Sequence, residues 1–351
     1  MARIVLADDG IAFDGRTPEV RPLGGAESAV VNLVGALARR GHSVTVRNRC
    51  DGPLDHDGVA WRPIGEGIRE PADLYIANRG HRLIDAAPAA RRTAFWLHNP
   101  AGYILKWRYL WRLWRVRPAL VFLGAYHAST CPRWVPNGGR HTIPYGIDPL
   151  FRDAEPAADP PPAPRAVFAS NPLRGLDWLV DVWAERIRSA VPGAELHIFS
   201  GTAPYGTHGD GKADAMNAVL EKAAALAGHG VVRRDPVPKP ALLDELRSAR
   251  ALLYKGDVNE TFCLAVGEAQ AAGLPAVVTP LGAMPERVAD GVSGTVAADE
   301  AAFAEAAVRL LTDDAHWRAQ QAGALRTGRA WGWDDAAAAF EALVPEDDSC
   351  A

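Results

Sequence analysis

The spacing of apolar positions along the chain changes in a regular order. Arg3 to Ala7 is a short, nearly continuous apolar run, the pattern of a buried strand. From Gly24 the spacing turns helical, with Val30, Val31, Leu33, Val34 and Leu37 recurring on one face. That run ends at Arg39-Arg40-Gly41, with cations in the last turn and glycine beyond. Ser43 to Arg47 reads as strand again. Strand, helix and strand in this order form a βαβ unit and predict a parallel sheet. Further strands are predicted at Leu74 to Ala77, Thr93 to Leu97 and Leu120 to Leu123.

Past Phe151 the pattern dissolves. Residues 153–164 hold Ala, Asp, Glu and a run of prolines, which suits an extended linker. Regularity returns with a strand at Ala166 to Ala169, a helix at Leu176 to Ala190 and a strand at Glu195 to Phe199. Helices at Ala213 to Ala227 and Pro240 to Ser248 follow, then a strand at Ala251 to Tyr254. An apolar helix before Gly273 and a strand at Ala276 to Thr279 complete the second series. The Ala-rich helix Asp334 to Leu343 has an apolar face and no obvious partner in the second half. Two α/β halves are therefore expected, with no short-period repeat.

Composition changes this picture little. The 351 residues are enough for two substantial cores; 48% are hydrophobic and 23% charged, an ordinary soluble balance. A net charge of -4 gives no global reason to expect nucleic acid. Cys50, Cys131, Cys263 and Cys350 lack metal-ligand spacing and read as free thiols of a reducing compartment. No apolar run is long enough to span a membrane, and the N-terminus enters a strand directly. The expectation is a cytoplasmic protein.

The most informative stretch for chemistry is Glu260-Thr261-Phe262-Cys263-Leu264-Ala265-Val266-Gly267-Glu268. It sets one carboxylate just before an apolar helix and a second inside it. A helix start attracts anions, because its first N–H groups are unpaired and its dipole is positive there. Glu260 is then suited to accept sugar hydroxyls, and Glu268 a second set. A sugar, a pyrophosphate and a ribose in a row is the shape of a nucleotide sugar. Gly24-Gly25 opens another helix, where backbone N–H groups approach an anion without a Cβ in the way; it competes with a plain tight turn. Arg174, in Ser170-Asn171-Pro172-Leu173-Arg174-Gly175-Leu176, follows a strand end, where ligands of open α/β sheets gather, and a guanidinium binds a diphosphate with oriented N–H bonds. His98 also sits at a strand end and is read either as structural or as functional. Ser-His-Asp order, HExxH and CxxC are absent from the sequence.

Residues 103–117 are locally unusual. At helical spacing Trp107, Trp111 and Trp114 share one face, and Arg108, Arg112 and Arg115 the adjacent one. Peripheral contact with an anionic membrane at an inner membrane face is one reading. The preferred reading packs the tryptophans on the N-terminal core and leaves the arginines solvated.

With Glu260 and Glu268 in a Glu-x7-Glu arrangement, the chain resembles the retaining glycosyltransferases of family 4 over nearly its whole length. Gly24-Gly25-Ala26-Glu27 resembles the family's Gly-Gly-x-Glu loop, His98 its strand-end histidine, and Ser170 to Leu176 its Arg/Lys-Gly-Leu segment. Asp290-Gly291-Val292-Ser293-Gly294 resembles its Asp-Gly-x-x-Gly turn, and Trp331-Gly332-Trp333-Asp334 the start of its last helix. The resemblance implies the GT-B fold: two Rossmann-like domains facing a central cleft, with the C-terminal helix crossing back to the N-terminal domain. The implied parts are an acceptor-binding domain at 1–152, a linker at 153–164, a nucleotide-sugar domain at 165–327 and the returning helix at 328–351.

By the same resemblance His98, Arg174 and Glu260 are catalytic. Glu260 holds donor-sugar hydroxyls, Arg174 neutralises the departing diphosphate, and His98 orients the sugar or acceptor. Gly24, Gly25, Asn171, Phe262, Cys263, Leu264 and Glu268 contact the donor, with Pro236 and Val237 near its base. The implied reaction moves a sugar from a nucleotide-diphosphate sugar to a hydroxyl acceptor with retention, without metal or cofactor, in polysaccharide, glycolipid or glycoside biosynthesis. A GT-B-type nucleotide-sugar epimerase would instead convert donor without acceptor, and a non-catalytic binder would show no turnover. The chain departs from the family in two ways that matter. It lacks a second cation before Arg174, leaving Lys255 or Arg233 as substitutes, and it has Cys263 where the family usually has glycine.

Overall fold

A computed structural model describes residues 1–21, 23–157, 160–201 and 212–346. Cys350 and part of the 153–164 and 328–351 segments lie outside the described residues. The chain forms two α/β units, Met1–Gly146 with Trp333–Ala351, and Ile147–Gly332.

The first unit is built on strands β1 (Arg3–Asp8), β2 (Ser43–Asn48), β3 (Leu54–His56), β4 (Val59–Pro63), β5 (Ala72–Asn78), β6 (Ala90–Trp96), β7 (Ala119–Phe122) and β8 (Arg140–Thr142). Their order is β3-β4-β2-β1-β5-β6-β7-β8; only the β3–β4 pair is antiparallel. Helix α1 (Gly25–Arg39) is the crossover between β1 and β2, which pair parallel from Arg3↔Ser43 to Ala7↔Arg47. The apolar run of β1 is continuous because both faces of a parallel sheet are covered, and Ile4, Leu6 and Ala7 are fully buried.

Helix α2 spans Trp107–Val116, and it overturns the preferred reading of the tryptophans. Tyr109 and Leu113 are the residues that pack on the core. Trp107 and Trp114 lie on the far side, 77% and 72% exposed. The physical reason is spacing: Tyr109 and Leu113 are an i,i+4 pair, set on the side of the helix away from the i,i+7 pair Trp107 and Trp114.

The second unit holds β9 (Arg165–Phe168), β10 (Glu195–Phe199), β11 (Val231–Arg234), β12 (Ala251–Tyr254), β13 (Ala276–Val278) and β14 (Gly294–Val296). All pairs are parallel, in the order β11-β10-β9-β12-β13-β14. The helices are α3 (Leu176–Val182), α4 (Ala213–Ala225), α5 (Lys239–Arg247), α6 (Leu264–Ala271), α7 (Met284–Arg287), α8 (Glu300–Thr312) and α9 (Asp314–Arg329). The expected helix to Ala190 continues past α3 through a π-helical stretch at Trp183–Ile187, which buries Trp183 and Ile187.

The chain passes between the units after Gly146 and after Gly332, not at the Pro-rich stretch. Ile147 and Phe151 are buried, Ile147 bridges Gly332, and the Arg152 guanidinium donates to the Arg329 carbonyl. Residues 147–152 thus pack with α9. Helix α10 (Trp333–Glu341) belongs to the first unit, where Phe340 meets Trp96 edge-on at 5.2 Å and Trp333 lies 5.9 Å from Tyr145.

Helix α6 is held by α9 through glycine. A Cβ on Gly328 would lie 2.3 Å from the Ala271 nitrogen, so the two backbones meet there. Gly328→Ala improves helix propensity by about 1 kcal/mol. Overpacking against backbone costs about 1–3 kcal/mol, so net destabilisation is expected. Urea denaturation of the variant decides it, and a higher midpoint would show that the helices part without cost.

Candidate active site

In the first unit β1, β5 and β6 end side by side, and their C-terminal residues form one polar network. Asp8, fully buried, accepts from the Asn78 amide, and the Asn78 oxygen accepts from His98 Nε2. His98 Nδ1 then accepts from the Tyr145 hydroxyl. This assigns the Nε2–H tautomer, because an amide oxygen only accepts. Arg79 donates to Asp8 at 2.8 Å and to Glu27 at 3.0 Å. Burial works against the charge of Arg79, but the two carboxylates outweigh it and raise its pKa.

His98 follows β6 by two residues, as a strand-end histidine should. Both of its ring nitrogens are engaged, and it is neutral. Burial lowers its pKa well below the ordinary value of 6.5, with Arg79 and His127 adding to the shift. Gly24 caps α1, and Glu27 folds back over it; a Cβ on Gly24 would lie 2.6 Å from Glu27 Oε2. The glycine pair therefore makes room for a carboxylate of the chain itself at that helix start.

In the second unit the site grows from the ends of β9 and β12. After β9 the chain turns at Asn171, whose side chain accepts from the Leu173 N–H at 2.9 Å while its carbonyl accepts from the Arg174 N–H. Gly175 takes φ +81°, and a Cβ there would lie 2.6 Å from the Lys255 side chain. The turn delivers Arg174 to Glu260, and the two form an ion pair. Tyr254, the last residue of β12, donates to the same Glu260 oxygen at 2.7 Å. Burial keeps its phenol well above the ordinary range, so it remains a donor.

Glu260 does not abut α6, which begins at Leu264. Its backbone is fixed by Asp257 and Ala283, and a Cβ on Gly282 (φ +58°) would lie 2.6 Å from the Glu260 carbonyl. Cys263 caps α6 in the left-handed region at φ +68°, the conformation that glycine adopts freely. Phe262 is buried, and burial raises the Cys263 thiol pKa.

Glu268 lies just over one turn into α6, and sequence reasoning missed its partner. Lys239, at the start of α5, meets Glu268 at 2.6 Å. Burial opposes the charge on Lys239, yet Glu268 and Asp148 prevail and raise its pKa. The only signal in the sequence was a lysine between two prolines at a helix start. Pro236 and Val237 are half-buried in the loop ahead of α5, with Pro236 over Gly201. The structure thus gathers Asn171, Arg174, Glu260, Cys263, Leu264 and Glu268 around one helix start. Of the proposed substitutes for a second cation, Lys255 lies over the Trp178 ring and Arg233 is exposed on the edge strand. Among the described residues no group of three or more His, Cys, Asp or Glu is placed to hold a metal ion.

Two parallel Rossmann-like sheets with a polar constellation at their strand ends define the α/β fold class of GT-B glycosyltransferases. Residues 163–313 match the family model described as glycosyl transferases group 1. A D-inositol 3-phosphate glycosyltransferase of Frankia alni is 36% identical over 168 residues, 46% of this chain and 40% of that protein. The chain therefore spans about two-fifths of the length of this curated relative. Sucrose-phosphate synthase from Thermosynechococcus elongatus superposes with a TM-score of 0.76 at 16% identity, covering 98% of each chain. HepE of Anabaena, solved with UDP and glucose, gives 0.69 at 14% identity, again over 98% of each.

The neutral histidines set a pH dependence. His98 and His127 have folded pKa values below 6.5, His127 at about 4, so below pH 6.5 the unfolded chain takes up protons that the folded chain refuses. Their stability contribution is complete above about pH 6.5; that of His127 is lost as pH falls through about 4, and that of His98 as pH falls through its own depressed value. Urea midpoints across that window should drop, and His98→Asn should flatten the decline. An unchanged slope would place the His98 pKa near its ordinary value.

Proposed function

We propose that the chain is a retaining glycosyltransferase that moves a sugar from a nucleotide-diphosphate sugar to a hydroxyl acceptor. The observation that carries this reading is the Arg174–Glu260–Tyr254 cluster beside the start of α6, inside the segment that matches the group 1 family. Glu260 accepts donor-sugar hydroxyls. The backbone at Phe262 to Leu264 meets the diphosphate, where the helix dipole favours negative charge. Glu268 has one oxygen on Lys239 and the other available to the ribose. Arg174, released from Glu260 as sugar hydroxyls replace it, stabilises the charge that grows on the leaving diphosphate. His98 keeps the wall of the first unit in one tautomer, and Gly24, Gly25, Asn171, Pro236, Val237 and Cys263 shape the approach.

Retention follows from a front-face displacement in which the leaving phosphate takes the acceptor proton. The mechanism needs no pair of carboxylates flanking the anomeric carbon, unlike a hydrolytic double displacement. Neutralisation by Arg174 and the helix start makes the reaction independent of metal and cofactor in this reading, and activity should survive chelation by EDTA. The expected setting is cytoplasmic biosynthesis of a polysaccharide, glycolipid or glycoside. The D-inositol 3-phosphate named for the relative makes a phosphorylated polyol an acceptor to try first.

A second partner is favoured by a separate observation. Residues 86–147 contain no Asp or Glu and nine Lys or Arg, in a chain whose net charge is -4. Trp107, Trp114 and Trp134, 65% exposed, all fall within that stretch. Asp85 and Asp73, outside the stretch, meet Arg112, Arg115 and Arg91, but the remaining surplus of cations around exposed tryptophans suits the headgroup region of an anionic bilayer. Among the described residues no helix is long and apolar enough to cross a membrane, so the contact would be peripheral.

Arg174→Ala and Glu260→Ala should each lower kcat/KM for transfer by about 100-fold or more with the fold intact by circular dichroism. Near-normal turnover in either removes that residue from its role, and a product of inverted anomeric configuration by NMR rejects retention. In flotation, vesicles containing phosphatidylglycerol should carry the protein upward, and Trp107→Ser with Trp114→Ser should leave it at the bottom. Equal flotation with neutral vesicles would count against the electrostatic part of that contact.

A further inference from the structure

Arg287 closes the short helix α7, just past the loop that packs on Glu260. Its guanidinium carbon lies 4.1 Å from the centre of the Phe262 ring. Its Nε is buried without a hydrogen-bond partner, and it forms no ion pair among the described residues. Desolvation lowers its pKa to about 10, opposed by Cys263 and Glu286, so it remains a cation at neutral pH. Arg287 as a whole is half-buried, but a guanidinium whose Nε is sealed from water and from any acceptor is costly, and such a group in a native structure calls for an explanation.

A second feature is matched to it. Gly267 lies within α6, where glycine is unfavourable relative to alanine. A Cβ at that position would lie 3.0 Å from Arg287 Nη2 and 2.6 Å from Ile147 Cδ1. The missing side chain is what admits the guanidinium beside the first turn of α6. That turn opens at Leu264, where the first N–H groups of a helix have no partner within the helix, and Cys263 caps it in a left-handed conformation. The cations that sequence reasoning offered are elsewhere. Of the two substitutes for a second cation beside Arg174, Lys255 lies over Trp178 and Arg233 is exposed on the edge strand.

We propose that Arg287 is the second phosphate-binding cation of this site, taking oxygens of the donor diphosphate together with the N–H groups at the start of α6. The proposal rests on the donor reading given above and adds a residue that reading did not contain. A cation–π contact on one face of the guanidinium leaves its in-plane N–H groups to an anion, the geometry in which Arg binds phosphate best. Gly267 and Arg287 are then one device, a vacancy and the group that fills it.

Calorimetric titration of UDP, GDP, ADP and TDP identifies the tightest diphosphate, which is then compared with its own nucleoside. Arg287→Met should weaken the diphosphate by about 10- to 100-fold and leave the nucleoside unchanged, because a charge-assisted bond to phosphate is lost and the base is untouched. Arg287→Lys should recover part of the loss. Gly267→Ala, which keeps the arginine but occupies its space, should weaken the diphosphate as well. The melting temperature of Arg287→Met should not fall, since a half-buried charge with an unsatisfied Nε is removed. Diphosphate affinity unchanged in Arg287→Met overturns the proposal, as does an equal loss of nucleoside, which would mark a deformed loop. If the wild-type protein binds none of the four diphosphates, the donor reading falls, and this proposal with it.

Discussion

A carboxylate buried at the edge of a parallel sheet must be met by donors, and much of the second unit is arranged to meet Glu260. Tyr254 is positioned by the last register of β12 and Arg174 by the turn after β9, two strands that are hydrogen-bonded neighbours. Two glycines make the approach possible. Gly175 clears the Lys255 side chain, and Gly282 lets its loop reach the Glu260 carbonyl. An unmet carboxylate there would cost more than either glycine's loss of backbone entropy. The loop is therefore held by contacts within its own unit, the kind of preorganisation on which the proposed donor role relies.

The first unit reaches a comparable end with different parts. Asp8, Asn78 and His98 sit just at or beyond the ends of three adjacent strands, so sheet register alone brings them into hydrogen-bonding order. Tyr145 closes the series from the residue before Gly146, where the chain leaves the unit. Each member fixes the orientation of the next. A chain of this type polarises along its length and loses more than one bond when a member is removed.

Elements with a clear period were legible, and the strands expected from apolar runs formed to within a few residues, but β3, β4, β8, β11 and β14 and helices α7, α8 and α9 went unread. The two helix starts at Gly25 and Leu264 were legible too, where glycine or a left-handed residue marks the cap. Partners were not legible, since they depend on which loops meet. Lys239 lies 29 residues from Glu268, and Arg287 25 residues from Phe262, with no local pattern linking either pair. The tryptophans of α2 failed for another reason. Hydropathy counts indole as core material, yet the i,i+4 pair Tyr109 and Leu113 already filled the space available. The division of the chain was missed because prolines signal extended backbone, not a unit boundary. Ile147 and Phe151 fold before the prolines begin.

The left-handed cap at Cys263 has a consequence for chemical durability. The nucleophilic and oxidisable form of cysteine is the thiolate, and burial at the start of α6 disfavours that form. A sulfur beside a phosphate-attracting helix start would ordinarily be activated by the dipole, as in thiol enzymes. Here desolvation outweighs the dipole, and the sulfhydryl behaves as a small apolar filler. Burial and the disfavoured thiolate together shield this sulfur from oxidants and electrophiles that attack an exposed thiol, so the shape of the helix start does not depend on the redox state of its surroundings.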